Sequence, residues 1–456
     1  QVFRQHNEDY EKQVEAGMKA KGTLLINIFL LPIILQYLSG EELGLWYVFM
    51  SVGTFVTMVD FGFSPQIARF VTYAYAGADS LKKSGIVSAV HTEMNAELLL
   101  KLLIASRRLY LFLSLFVFIL LITVGSYYVT VISKTLPYRQ VLCSWIIFSI
   151  ASFINILYGY YHAFFRGIGD FISINKAMLL SKCTQIIFAY IGLYLGYGLF
   201  AVAFSFFLSG VCLRIYLGIA LSKFEKESFG TQQKNVFDVG ILDVIWHNSW
   251  REGIVMISRY LIIQSNTILC SLYIDLSETA AYALAIQILT IISSVSLIYF
   301  TTNLPKLNAA QVTRDVKLRN RLLFKTWFIY VVSYIMMLLL LFIIGIPIIE
   351  YIKPNVMLGN SLLLFVSLYV FLESNQSLFV SYISTSNKLP YVFPYLISAI
   401  SGVGLAIVLL EYTDWGIWGI LIAHFVVQLC YNNWKWPCYA IKESNIKISN
   451  ACELLY

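Results

Sequence analysis

Apolar residues along this chain gather into about twelve runs, separated by short polar breaks. Each is long enough to cross a bilayer, whose hydrocarbon core takes roughly 20 apolar residues in a helix. The runs predict spans at Gly22–Ser39, Leu43–Phe70, Leu109–Ile132, Leu142–Phe165, Ile174–Tyr197 and Leu199–Leu221. Six more follow at Ile245–Tyr273, Thr279–Leu304, Leu322–Ile352, Leu358–Thr385, Tyr391–Leu410 and Trp415–Pro437. Spans five and six are parted only by Gly196–Gly198. The pattern predicts an all-α polytopic membrane protein.

The polar breaks give an orientation. Of the 32 Lys and Arg, only Lys134, Arg139 and Lys353 fall in loops that follow odd-numbered spans. Those loops are otherwise acidic or uncharged, as at Glu41 and Glu42, Asp275 and Glu278, and Glu411 and Asp414. Basic residues such as Lys82, Lys83, Arg107, Arg108, Lys306, Arg314 and Lys317 mark the even loops. Positive loops stay on the cytoplasmic side because they resist translocation. Both termini are therefore expected in the cytoplasm, which requires an even number of spans.

Composition narrows the function. Hydrophobic residues make up 59% of 456 and charged ones 12%, against about 25% charged in soluble domains. The net charge of +7 lies at span ends, where it speaks for topology and anionic lipid rather than nucleic acid. The charged stretch from Arg4 to Glu15 argues against a cleavable leader. That stretch and Gly85–Arg108 read as interfacial helices, the second with Val90, Met94, Leu98 and Leu102 at helical spacing. The seven cysteines form no CxxC pair and no cluster with His, so they read as apolar fillers, with neither disulfide nor metal expected. There is no GxSxG, P-loop or HExxH, and no loop large enough to hold a nucleotide. No catalytic residue and no cofactor is expected; transport is the default. Aromatics at span ends, among them Trp46, Tyr127, Tyr138, Trp415, Trp434 and Trp436, read as interfacial anchors.

A faint internal repeat is visible. Tyr37–Val52 lies on Tyr273–Ile288 without a gap, pairing Glu42 with Glu278 and Trp46 with Tyr282. Two six-span halves in the same orientation would be parallel repeats. The expected division is residues 1–221, with interfacial helices near 1–20 and 85–108, then a cytoplasmic linker at 222–244, then residues 245–456.

Ionisable groups in hydrocarbon are costly and tend to face an interior or a cavity. In the seventh span, Asn248, Glu252, Arg259, Asn266 and Tyr273 recur about every seven residues, which places them on one helix face. Glu252 and Arg259 are roughly 10 Å apart along the axis, so each needs water, cargo or another helix. A water-filled lumen and an interhelical clamp both fit. The tenth span carries Glu373, Gln376, Ser377 and Ser381; the fourth carries Asn155 and His162 and ends at Arg166. In the second, Asp60 shares a face with Thr57 and Ser64, and Pro65 could kink the helix. His424 and Gln428 stand one turn apart in the twelfth. The candidate translocation residues are Arg69, Asn155, His162, Arg166, Arg259, Asn266 and Gln376; the candidate ion-coupling residues are Asp60, Glu252 and Glu373.

The first 110 residues carry a more specific pattern. Lys19, Lys21 and Gly22 precede a span that ends in Leu-Ser-Gly-Glu-Glu-Leu-Gly-Leu-Trp at Leu38–Trp46. Asp60-Phe61-Gly62-Phe63 and then Arg69 follow before a basic loop. This resembles the polysaccharide and O-antigen flippases of the multidrug/oligosaccharidyl-lipid/polysaccharide exporter (MOP) superfamily, with one extra residue in the turn. The resemblance implies two six-helix bundles around a V-shaped polar cavity. It implies a cargo of undecaprenyl-pyrophosphate-linked oligosaccharide, flipped across the bacterial inner membrane, and hand-over to a polymerase and a chain-length regulator. An acidic residue common in the family's seventh span is here replaced by Gln264-Ser265-Asn266, which turns attention to Asp60, Glu252 and Glu373. A multidrug exporter of the same superfamily is the alternative, although such exporters typically have an acid in the first span, where this chain offers Asn27. A membrane glycosyltransferase or polymerase would need a sizeable periplasmic loop, and the longest here is roughly Ser133–Val141.

Overall fold

The computed structural model describes residues 30–81, 94–229, 239–312, 315–354, 356–385 and 389–444. The interfacial helix expected near 1–20, residues 85–93 of the one expected at 85–108, the start of the first span, Arg314 and the middle of the 222–244 linker lie outside the described residues. Every regular element among the described residues is helical.

The first span appears as α1, residues 30–37. The second is a broken pair, α2 (Gly40–Met58) and α3 (Phe63–Tyr75), bent by 43°. The third is continuous over 37 residues: α4 (Ala96–Leu120), a π turn (Leu121–Gly125) and α5 (Ser126–Ile132). The fourth is α6 (Tyr138–Leu157) and α7 (Tyr160–Gly167), the fifth α8 (Phe171–Tyr194) and the sixth α9 (Gly198–Phe229). Next come α10 (Val239–Ile263) and α11 (Ser265–Tyr273), then α12 (Leu276–Ser296) and α13 (Ile298–Val312). The ninth span is α14 (Val316–Leu340), a π turn (Leu341–Gly345) and α15 (Ile346–Ile352). The last three are α16 (Asn360–Ser384), α17 (Val392–Tyr412) and the pair α18 (Ile417–Cys430) and α19 (Asn432–Ser444). Packing divides the chain into two compact units, one up to Tyr260 and one from Leu261, so the break falls inside the seventh span.

Three sequence readings change. Residues 96–108 are not a separate surface helix but the first turns of α4. Leu98 and Leu102, which seemed suited to a membrane surface, are buried in protein. Trp46 and Trp436 are core residues rather than interfacial anchors, whereas Tyr127, Tyr138, Trp415 and Trp434 remain exposed. Trp46 joins Phe49, Trp145 and Phe148 in an edge-to-face and stacked cluster, with Phe49 and Trp145 centroids 5.0 Å apart. The second span breaks at residues 59–62, not at Pro65. Pro65 sits in the first turn of α3, where an N–H would have no intrahelical acceptor.

The repeat is legible in each unit's own construction. Ser39 caps α2 by accepting from Glu42 N–H at 3.1 Å, and Asp275 caps α12 by accepting from Glu278 N–H at 2.7 Å. Asn95 and Asp315 cap α4 and α14 by accepting from Leu98 and Leu318 N–H, both at 3.0 Å. Both of these helices then meet a five-residue π turn after 25 residues and end seven residues later. In the first unit, Glu42 also accepts from Gln140 Nε2 at 3.0 Å, fastening the second span to the fourth.

Candidate functional site

The break in the second span is built from three residues with separate tasks. Phe61 has φ 47° and Gly62 φ 75°, two consecutive left-handed conformations, and the first is costly for a side-chain-bearing residue. Docking on α10 holds them. The Phe61 ring lies over Gly253, where a Cβ would come within 2.5 Å of it, and stacks on Trp246 at 5.5 Å and 7°. A Cβ on Gly62 would meet Glu252 Cβ at 2.7 Å and Ser249 O at 3.1 Å. The seventh span's Glu252 is thus set against the backbone of the break.

Asp60 is the chemical centre of the break. One carboxylate oxygen accepts from Ser64 N–H at 3.1 Å, starting α3, and the other accepts a short hydrogen bond from Tyr110 O–H on α4. Tyr110 is buried, and Gly159 gives it room: a Cβ there would lie 2.7 Å from the ring. The break between α6 and α7 therefore closes on the same phenol. Arg166, at the end of α7, is near enough to act electrostatically on Asp60 and on His162. His162 also feels Arg214 of α9. Arg214 donates to Asn155 O at 2.9 Å, and Gly210 lets α9 approach Asn155 closely. Nearer the end of α9, Arg107 pairs with Glu225 and donates to Tyr160 O–H at 3.3 Å.

The structure thus brings together Asp60, His162 and Arg166, with Asn155 linked through Arg214. Arg69 stands apart and exposed, its guanidinium 5.4 Å from the Phe70 ring centroid. On α10, Glu252 is half-buried and Arg259 exposed, so the face they share is unevenly covered. Tyr110 and Arg214 were not singled out from sequence. Tyr110 is one of 31 tyrosines, and its task depends on Asp60, fifty positions away. Arg214 did carry a signal, as a lone cation deep in an apolar run.

The second unit holds Asn266, Gln376 and Glu373. Asn266 is wholly buried just after the break at Gln264, where it donates to Tyr282 O–H at 3.2 Å. The Ile262 carbonyl near the same break accepts from Tyr369 O–H at 2.8 Å. Gln376 is fully buried, and its amide has no hydrogen-bond partner among the described residues; Glu373, one turn earlier on α16, is half-buried. Gln428 belongs to a buried polar rail, in which Asn432 donates to Gln428 Oε1 and Trp436 donates to Asn432 Oδ1, both at 2.9 Å; His424, one turn earlier, is wholly buried with neither ring nitrogen hydrogen-bonded among the described residues. No group of three or more His, Cys, Asp or Glu among the described residues could hold a metal ion.

Comparison with solved structures gives this geometry a context. An inward-facing multidrug-resistance MATE transporter of the MOP superfamily covers 93% of this chain and 95% of its own, with TM-score 0.71 and 16% identity. The fold is that of the MATE transporters. An outward-facing structure of a MATE transporter matches over 96% of this chain and 97% of its own, with TM-score 0.60 and 16% identity. So does a MOP superfamily transporter from Pyrococcus furiosus, described as having a binding pocket of reverse polarity that suggests a different function. It matches over 97% of this chain and 96% of its own, with TM-score 0.60 and 15% identity. No protein-family model and no curated protein matches the chain. Within the MATE-like fold, the chain is a multi-pass membrane protein.

Proposed function

We propose that the cargo is an amphiphile with an anionic head, specifically an undecaprenyl-pyrophosphate-linked oligosaccharide flipped across the bacterial inner membrane by alternating access. The observation that carries this reading is the unequal exposure of charge. Arg69, Arg166 and Arg259 are exposed, while Asp60 is committed to Tyr110 and Ser64 and Glu252 is half-buried against the break. Exposed arginines within spans call for water or an anion rather than lipid, and a guanidinium fork suits phosphate oxygens. The motifs at Leu38–Trp46 and Asp60–Phe63 support the same cargo. Both termini would be cytoplasmic, and a polymerase with a chain-length regulator would take the product. Asp60, Glu252 and Glu373 are the carboxylates assigned to ion coupling in this reading.

Multidrug export is the second reading. Two of the solved neighbours are multidrug transporters, and the likeness of fold backs that class more directly than it backs a flippase. One experiment separates the two. Arg259→Ala should abolish flipping of a fluorescent lipid-linked oligosaccharide in proteoliposomes while the protein inserts normally, and Arg259→Lys should restore it in part. Unchanged flipping in Arg259→Ala would make Arg259 an interhelical clamp rather than a cargo contact, whereas efflux of a lipophilic cation by the native protein with no flipping at all would decide for drug export.

A further inference from the structure

The first unit carries a groove that the Asp60 cluster does not use. A cavity of about 850 Å³ opens between the fourth and sixth spans. One wall is Phe153, Leu157, Tyr158 and Tyr161; the other is a single face of α9 running from Val211 to Lys226. On that face Ile215 and Ile219 line the cavity and are 58% and 68% exposed, so in a membrane this side suits lipid chains rather than water.

Charge in the groove is one-sided. Arg214, Lys223 and Lys226 line it, and none of its lining residues is acidic. The nearby acids are engaged elsewhere: Glu225 with Arg107, and Glu227 with Lys223 across 3.9 Å at an exposed position, where a pair contributes little. Arg214 is the deepest cation; its Nη2 is bonded to Asn155 O, but its Nε is buried without a hydrogen-bond partner. From Arg214 to Lys226 the cations extend over about 18 Å of helix, longer than one phosphate can bridge.

We infer that this groove binds a bilayer phospholipid with two phosphates, of the cardiolipin kind. Its phosphates would lie along Arg214, Lys223 and Lys226, and an acyl chain against Phe153, Leu157 and Ile215. Basic pockets between spans at the cytoplasmic side are suited to such headgroups, and positive-inside charge places Lys223 and Lys226 on that side. The inference does not depend on which cargo the transporter moves.

The test is native mass spectrometry of the delipidated, full-length protein titrated with cardiolipin, phosphatidylglycerol or phosphatidylcholine. One saturable cardiolipin adduct is expected, well ahead of phosphatidylglycerol at matched charge, with no saturable phosphatidylcholine. The double variant Lys223→Gln/Lys226→Gln leaves the Arg214 packing intact and should bind cardiolipin about 30-fold more weakly. Lys134→Gln, which removes an exposed charge outside the groove, should bind normally. Equal retention of cardiolipin and phosphatidylglycerol, or unchanged binding by the double variant with its thermal midpoint intact, would overturn the inference. So would displacement by inorganic phosphate, which would mark a mere anion pocket, or by stoichiometric undecaprenyl pyrophosphate, which would mark a cargo site.

Discussion

Gly62→Ala is the sharpest probe of the hinge, because the molecule supplies its own control. Gly62 and Gly169 have nearly the same backbone, with φ 75° and 81°. A methyl group at Gly169 meets nothing within 4 Å, so Gly169→Ala costs only left-handed strain, about 1–2 kcal/mol. At Gly62 the same methyl would meet Glu252 Cβ at 2.7 Å and the Ser249 carbonyl at 3.1 Å. The carbonyl belongs to the body of α10 and cannot step aside. Overpacking of this kind adds roughly 1–3 kcal/mol, so Gly62→Ala should cost about twice as much as Gly169→Ala. The two purified variants, compared by thermal unfolding in one detergent and by transport in proteoliposomes, should differ in both respects. Gly169→Ala should transport normally, whereas Gly62→Ala should have the lower midpoint and impaired transport. Equal midpoints and equal transport would show that the break is not seated on the seventh span, and the account of Phe61 and Gly253 would fail with it.

Tyr110→Phe strips Asp60 of a buried donor and should cost about 1–3 kcal/mol, which Asp60→Asn in the same background should recover in part. Recovery of transport as well would show Asp60 to be structural; stability without gradient-driven transport would assign it to coupling. Trp145 donates to the Leu121 carbonyl at 3.2 Å, so Trp145→Phe should lower stability by about 1 kcal/mol beyond the small loss of ring area; a neutral result would mean the π turn needs no outside donor. Cysteine at Ser277 should react with an impermeant maleimide in intact cells and cysteine at Lys317 only after lysis; the reverse pattern would invert the topology.

Span positions were legible because apolar length is a strong signal, and the turns at Glu41–Glu42 and Asp275–Glu278 because a short acidic break between apolar runs is a local pattern. The breaks were not. Pro65 drew attention as the residue that could kink the second span, yet the chain bends at Asp60–Gly62, where the cause is tertiary: a glycine at 253 that admits a phenylalanine ring. The same limit explains Tyr110 and Arg107, whose partners lie 50 and 118 positions away. His162 and Arg166 were named from helix phase, Asp60 from helix phase and the Asp60–Phe63 motif, and the three do share a neighbourhood. The helix phase that grouped Glu252 with Arg259 carried no information about their unequal covering, since exposure depends on what packs alongside.

The matched π turns give the third and ninth spans a fixed clocking. Each turn holds one residue more than an α-helix would, so the seven residues beyond it are rotated by about 100° and displaced by about 1.5 Å relative to an uninterrupted helix. In α5 that rotation buries Val129 and leaves Tyr127 outside; in α15 it buries Ile349 and leaves Tyr351 outside. Removing a single residue from either turn would swing a whole apolar tip the wrong way, so length there is constrained more tightly than the identity of any side chain.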